Sequence, residues 1–389
     1  MNKRKITVIT GTRAEFGLLH WVIKEIQDDH DFVLQLVVTG MHLSPEFGLT
    51  VNDIEEQGIP IAKKVETLLS SDTSIGISKS MGLGMISFSE VFDELDPDLC
   101  LVLGDRFEIF SAVSAAMIAR IPVAHCHGGE ATEGLIDEPI RHSVTKMSHL
   151  HFTSTDTYKK RVIQLGEQPE RVFNVGALGI ENIYRLDLLD KSSFEESIDF
   201  TFGEQNFLVT YHPVTLEEKT AEKQIDELLK AIDAFPDAKV IFTMPNADTD
   251  GRIIIKRIEK YVDNNVDRSV AFTSLGQLRY LSALKHVDVV IGNSSSGLIE
   301  VPSFNTPTVN IGDRQKGRVA GPTVIQAATN ANDIQEGIRK ALDKTFIKSI
   351  QKEKNPYDSG FSSEKILPVL KNFELDNILK KEFHDIGTL

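Results

Sequence analysis

The sequence predicts an α/β protein of two Rossmann-like, doubly wound parallel-sheet domains with a cleft between them. Three observations predict it. Short β-branched runs alternate with longer stretches of helical period, the pattern of consecutive βαβ units. Several of the short runs are apolar on both faces, as strands sandwiched between helical layers are. The alternation breaks once, over a polar stretch near the middle of the 389 residues, and then restarts.

In the first half, strands are expected at Lys5–Thr10, Val33–Val38, Leu99–Leu103, Pro122–His125 and Leu150–Thr153. Phe16–Gln27 and Phe107–Ala119 between them carry apolar residues at helical spacing. From about Ala177 to Gln205 the chain is rich in Asp, Glu, Ser and Lys with weak periodicity, which reads as a connector. Strands resume at Phe207–Tyr211, Val240–Thr243, Ser269–Thr273, Val287–Ile291 and Thr308–Ile311. Helices are expected around Leu216–Ala234, Arg252–Val262, Gly276–Lys285 and Asn332–Lys344, and a last one, Ser363–Lys380, follows Pro356 and Gly360. The expected division is a first domain at residues 1–176, a connector at 177–205 and a second domain at 206–360.

Acidic residues number 57 and basic ones 42, a formal charge of −15. That surplus argues against unspecific binding to nucleic acid or to an anionic membrane, while leaving room for a local basic pocket. The two cysteines, Cys100 and Cys126, sit in apolar surroundings and read as buried reduced thiols. The apolar run at Ile6–Thr10 is far too short for a signal-peptide core, and no stretch of about 18 apolar residues exists to span a membrane. A cytoplasmic protein is expected.

In open parallel sheets ligands bind beyond the carboxyl ends of the strands, so the loops there are where chemistry is sought. The first strand runs into Gly11-Thr12-Arg13-Ala14-Glu15-Phe16-Gly17, which is neither GxGxxG nor a Walker loop. Its glycine turn and its Arg at a helix start suit a phosphate, or else Gly11 only serves the turn and Arg13 is solvated. Gly104-Asp105-Arg106-Phe107-Glu108 follows the third strand; Asp105 is either an N-cap or a site carboxylate. The most polar cluster, His125 to His142, holds three His, four carboxylates and Arg141. His125, His127 and Glu130 could share a metal ion, but acid–base chemistry without metal fits better. Asp137 could also be the N-cap of the helix that follows. In the second half, His212 and Asn246 sit at strand ends. Gly292-Asn293-Ser294-Ser295-Ser296-Gly297 breaks a buried strand into a Ser-rich turn and a helix start, an anion cradle unless it is a plain capping loop. Glu300, one turn on, suits a ribose diol. Arg314 adds charge after the next strand, so Arg13, Arg106 and Arg314, with His212 also at a strand end, indicate a phosphorylated ligand.

These motifs together resemble the UDP-N-acetylglucosamine 2-epimerases, in particular their hydrolysing branch. The resemblance covers nearly the whole chain. It rests on Gly11 to Glu15, Gly104 to Glu108, His127-Gly128-Gly129-Glu130, Asp137 to His142, His212-Pro213-Val214-Thr215, Gly292 to Gly297 and Gly312-Asp313-Arg314-Gln315. The non-hydrolysing branch tends to have Gly-Asp-Thr at Gly104-Asp105-Arg106 and Glu-Ala-Gly-Leu-Arg at His127 to Glu130. The resemblance implies the two-domain fold of nucleotide-sugar glycosyltransferases (GT-B), with the last helix crossing back to the first domain. It implies UDP held mainly by the second domain, with Arg13, Gly17, Arg106, His212, Asn246, Ser294, Ser295, Ser296, Glu300 and Arg314 at binding positions. Thr273 and Ser274 stand where animal bifunctional relatives carry a Lys-His pair for feedback inhibition, so that regulation is not carried over.

The implied reaction converts UDP-N-acetylglucosamine and water to N-acetylmannosamine and UDP, for sialic acid synthesis. The alternatives are UDP-linked 2,4-diacetamido-2,4,6-trideoxyglucose, on the way to legionaminic acid, or a glycosyltransferase reaction. The sequence reading favours UDP-N-acetylglucosamine. Proton transfer at carbon 2 needs groups on both faces of the sugar. Asp105, Glu130 and Asp137 are the candidates, with His127 and Glu138 behind them. This chemistry calls for no metal and no cofactor. A homodimer or homotetramer is expected.

Overall fold

The computed structural model describes residues 3–69, 73–133, 136–214, 220–245 and 251–387. The chain divides into two compact units, the first of residues 1–130, 136–181 and 359–389, the second of 131–135 and 182–358. The first holds a seven-stranded sheet of β1 (Arg4–Thr10), β2 (Phe32–Thr39), β3 (Ile61–Val65), β4 (Leu99–Leu103), β5 (Val123–Cys126), β6 (Leu150–Thr153) and β7 (Val172–Asn174). Their order is β3-β2-β1-β4-β5-β6-β7, and every pair is parallel. The second holds β8 (Gln205–Thr210), β9 (Ala238–Thr243), β10 (Ser269–Phe272), β11 (Val289–Gly292), β12 (Thr308–Ile311) and β13 (Val324–Ala327). Their order is β10-β9-β8-β11-β12-β13, again all parallel.

Both orders are the doubly wound one, and in both the winding direction reverses beside the first strand of the unit. The reversal falls between β1 and β4 and between β8 and β11. The loops leaving those four strands, at residues 11–13, 104–106, 211–214 and 293–295, therefore flank the two crevices.

The strands are buried because helices cover both faces. Ile6, Val8, Leu99, Leu101 and Leu103 pack under the helices Arg13–Asp28 and Ser362–Asn372. Ile9, Val37, Cys100 and Val102 pack on the other face, under Ser74–Leu95 and Phe107–Ala119. Both cysteines are fully buried, and burial pushes both thiols up, so they remain protonated. The second unit repeats the arrangement, with Phe207, Val209, Val240 and Ile291 on one face and Leu208, Ile241 and Val290 on the other.

The differences from the sequence reading have physical causes. Strands β3, β7 and β13 were not expected; they lie at sheet edges or carry polar residues, as in Ile61-Ala62-Lys63-Lys64-Val65, and their apolar runs are short. The long helix Ser74–Leu95 contains Gly76, Gly82 and Gly84, weak helix formers. Gly84 is there for packing: a Cβ on it would stand 3.0 Å from the Ser111 Cβ of the neighbouring helix. Within 177–205 two helices form, Leu178–Arg185 and Lys191–Ile198. The last helix ends at Asn372, short of Lys380: Phe373 turns extended, and Ile378 beyond it is buried in the first unit's core. Among the described residues, no helix is long and apolar enough to cross a membrane.

Candidate active site

In the first unit, three loops bring ionisable groups to the carboxyl ends of β4 and β5. Arg106, not Asp105, occupies the N-cap position of the helix Phe107–Ala119, without a side-chain cap bond. Asp105 is thus free of capping and instead accepts from the Arg141 guanidinium through Nη2. Arg141 also donates through Nη1 to Glu138 Oε2 at 3.1 Å and to the Glu130 carbonyl at 3.0 Å. Glu138 Oε1 lies 3.1 Å from His142 Nε2. Arg141, His142 and Glu138 share one face of the helix Asp137–Met147, at spacings of three and four residues. Asp137 begins that helix but is not its N-cap, which is Ile136. It lies within electrostatic reach of Arg106.

His127 and Glu130 form a second group. The Leu178 backbone N–H donates to His127 Nε2 at 3.2 Å, so the ring proton is on Nδ1, 3.1 Å from Glu130 Oε1. The Ser154 hydroxyl donates to the same oxygen at 2.8 Å. Glu130 is buried. His127 has φ 64°, left-handed for a residue with a Cβ, a strained conformation of the kind found at functional sites. Gly129, two residues on, has φ 78°, and a Cβ there would meet the Tyr158 carbonyl at 2.6 Å. His125 is a pin: its Nε2 contacts the Gly104 carbonyl at 2.8 Å, tying the β4 loop to β5, and burial lowers its pKa to about 3.

The β1 loop differs from expectation. Thr12 and Glu15 form a capping box, and Glu15 Oε2 accepts from the N–H groups of Gly11 at 2.7 Å and Thr12 at 3.1 Å. Those two backbone donors are taken by Glu15 and are not left for a phosphate. What the loop offers is the Arg13 side chain, 63% exposed and 3.9 Å from Asp53. Gly17 lies one turn further along the same helix. Arg106 is held by Glu108 through both of its oxygens, at 3.2 Å each.

In the second unit, Asn293 joins the loops. Its Oδ1 accepts from the His212 N–H at 2.7 Å, and its Nδ2 donates to the His212 carbonyl at 2.8 Å. Its own carbonyl accepts from Arg314 Nη1 at 3.1 Å and from Gln315 Nε2 at 2.9 Å. Asn293 is fully buried. Gly292 must be glycine, since a Cβ would fall 1.8 Å from the Thr210 carbonyl. The helix after this loop is one turn long, Ser296–Ile299, and passes through Glu300 into the short 3₁₀ turn Val301–Phe304. Its dipole is correspondingly small, so what the turn could offer an anion is Arg314 and the backbone and hydroxyls of Ser294, Ser295 and Ser296. Burial, with Arg314 adding to it, lowers the His212 pKa to about 3, so His212 is neutral and is not one of the cationic groups. Tyr280 lies beside Ser296 and Glu300. Asn246 and Thr215 lie outside the described residues.

The profile of the family described as UDP-N-acetylglucosamine 2-epimerase matches residues 24–371. The chain belongs to that family. Among its curated members, a Campylobacter jejuni protein named GDP/UDP-N,N'-diacetylbacillosamine 2-epimerase (hydrolyzing) is 44% identical, over 99% of this chain and 100% of that one. The polysialic acid biosynthesis protein P7 of Escherichia coli is 41% identical, over 98% of each. Among solved structures, the UDP-GlcNAc 2-epimerase of Neisseria meningitidis bound to UDP-GlcNAc superposes with a TM-score of 0.80 at 18% identity, covering 94% of this chain and 99% of that one. The fold is therefore that of the 2-epimerases, of GT-B type, with two Rossmann-like parallel-sheet domains.

Three residues that contact the candidate site groups were not singled out in the sequence. Ser154 follows β6 and looks like an ordinary loop serine; only the fold brings it to Glu130. Asn293 stood inside the quoted motif, but nothing in its spacing shows that its amide faces His212. Tyr280 lies in the apolar pattern of the helix Gly276–His286 and reads as core.

Proposed function

We propose that the chain is a hydrolysing 2-epimerase that takes a UDP-linked 2-acetamido sugar and water to UDP and the free, C2-inverted sugar. The observation that carries this reading is the gathering of Asp105, Glu138 and His142, with Glu130 beside them, around one buried arginine. A glycosyl transfer has no need of so many proton-transfer groups. In the reaction, a carboxylate takes the proton from carbon 2. The C1–O bond breaks with its electron pair going to UDP, and a C1=C2 double bond forms. Water then adds its oxygen to carbon 1, and a proton returns to carbon 2 from the opposite face. Asp105, Glu130 and Asp137 are the proton-transfer candidates, with Glu138, His142 and His127 supporting them. Arg314, Ser294, Ser295 and Ser296 stabilise the departing UDP, Glu300 addresses its ribose, and Arg13 and Arg106 add positive charge.

The Campylobacter jejuni relative is named for GDP/UDP-N,N'-diacetylbacillosamine, and a Legionella pneumophila relative for UDP-N,N'-diacetylbacillosamine, which supports the UDP-linked 2,4-diacetamido-2,4,6-trideoxy sugar as the substrate. The second reading is UDP-N-acetylglucosamine, which the sequence reading favours. It is supported by the similar identity to a protein named for polysialic acid biosynthesis. Proton NMR in deuterated water with each UDP-sugar tests both. Free sugar, UDP and deuterium at carbon 2 are expected, faster with the diacetamido substrate. A stable UDP-sugar epimer, or transfer with carbon 2 unexchanged, would overturn the reading.

A further inference from the structure

We propose that Arg141 is the positioning residue of this site, aiming the carboxylates of Asp105 and Glu138, so that the group accepting the carbon-2 proton comes from that pair rather than from Glu130. The proposal rests on the 2-epimerase reading and deepens it by dividing the carboxylates into two kinds.

The argument starts from burial. Arg141 is 2% exposed, and a guanidinium does not give up its proton. A buried charge of that kind is tolerated only when opposite charge and hydrogen bonds surround it. The fold supplies them from three directions. Asp105 comes from the loop after β4, Glu138 from one turn earlier on the helix of Arg141, and the Glu130 carbonyl from the loop after β5. The planar fork of Arg addresses separate acceptors at fixed angles, which a lysine ammonium does not reproduce.

Among the described residues, the other charged neighbours of Asp105 are engaged elsewhere. Arg106, next to it in sequence, is turned to Glu108 through two bonds, and Glu15 and Asp137 lie within its electrostatic reach. His125 is neutral and engages the Gly104 carbonyl. His142 Nε2 meets Glu138 at Oε1, while Arg141 Nη1 donates to Oε2.

Glu130 is placed otherwise. Its Oε1 meets the His127 ring and the Ser154 hydroxyl, and Arg141 Nη1 donates to its backbone carbonyl. The two carboxylates bonded to the guanidinium are also the accessible ones. Their side chains are 23% and 24% exposed, against 4% for Glu130. An ionised, reachable carboxylate is what abstraction of a proton from carbon requires.

The test is a kcat/KM–pH profile of wild type, Arg141→Met and Arg141→Lys. A neighbouring Arg lowers a carboxylate pKa by about 1–3 units, so its loss should move the ascending limb to higher pH by about that much. Arg141→Lys should move it less and recover part of the rate. A uniformly lower profile with an unmoved limb would mean a merely structural role and would overturn the proposal. Folding of each variant is checked by UDP binding. A second measurement needs no variant of Arg141: ¹³C NMR of Asp-labelled resting protein, with the Asp105 signal assigned by its absence in Asp105→Asn. The Asp105 carboxyl should titrate below the ordinary Asp value of about 3.9. A midpoint at or above that value would also overturn the proposal. Because this titration involves no turnover, it fails or succeeds separately from the reaction assignment.

Discussion

Replacing Glu15 with Gln should change how stability depends on pH, by an amount the structure allows to be worked out. Burial pushes the Glu15 carboxyl up from its ordinary 4.5 to about 7, against the opposing pull of Arg106 and of the Gly11 backbone N–H. The folded-state pKa is raised, so the native state favours the protonated form. The stability tied to this group is fully present below 4.5 and is lost as pH rises through about 7. At about 1.36 kcal/mol per pKa unit, the full loss is about 3 kcal/mol, and about 2 kcal/mol of it falls between about pH 5.5 and about pH 8.5. The variant does not titrate. Its amide oxygen can still accept from Gly11 and Thr12, so the capping bonds survive, and whatever its amide group costs is constant with pH. Chemical denaturation of both proteins across that window should therefore show the variant gaining on wild type by about 2 kcal/mol as pH rises. Taking the difference between the two proteins removes the contribution of every other titrating group. A flat difference would mean that Glu15 stays ionised throughout, held by its two backbone donors and Arg106, and the burial argument would be refuted.

Three further outcomes are expected. Asp105→Asn and Glu130→Gln should each lower kcat by about 10²–10⁴, with UDP affinity by calorimetry falling far less; an equal fall in both would make them binding or structural groups. Asn293→Ala should raise the Kd for UDP about tenfold or more, equivalent to about 1.4 kcal/mol, because it releases the His212 backbone that Asn293 grips at both ends. An unchanged Kd in a folded variant would show that the loops hold their places without it. Glu300→Ala should weaken uridine as well as UDP, and an effect confined to UDP would contradict its assignment to the ribose.

Much of the fold was legible because parallel strands between helical layers are apolar on both faces and stand out from any other segment. Leu99–Leu103 and Phe107–Ala119 have the expected bounds for that reason. What was not legible had weak local signals. The strand Ile61–Val65 is amphipathic and short, and the helix Ser74–Leu95 is diluted by the glycines its close packing needs. The site was legible in part for a similar reason. Residues at strand ends announce themselves by type and place, as Asp105, Glu130 and Arg314 do. Residues that act by gripping others do not, because their partners are distant in sequence. Ser154 is 24 residues from Glu130, and Asn293 is 81 from His212. The neutrality of His212 was not legible, because a strand-end His looks exposed in sequence, whereas the fold buries it beside Arg314.

The two units share one topology yet use their strand ends for opposite electrostatic tasks, and the gripping residue at each reveals the task. In the first unit the keystone is Arg141, a buried cation, and a buried cation gathers carboxylates: Asp105 and Glu138 converge because the guanidinium would otherwise lie uncompensated. In the second the keystone is Asn293, a neutral amide that satisfies backbone groups at both ends and brings no charge of its own. The Arg314 cation there is bonded to the Asn293 carbonyl through Nη1 and is not drawn into a carboxylate pair by Asn293. Exchanging the keystones' chemistry should therefore exchange the consequences. An acidic residue at 293 should repel UDP by placing an anion beside the His212 carbonyl and within the loop that Arg314 serves. A neutral residue at 141 should release Asp105 and Glu138 from the placement the guanidinium imposes. Asn293→Asp is nearly isosteric, so it separates charge from shape: a much larger loss of UDP affinity than Asn293→Ala is expected, narrowing as salt screens the introduced charge. Equal losses in the two variants at every ionic strength would show that Asn293 acts through geometry alone.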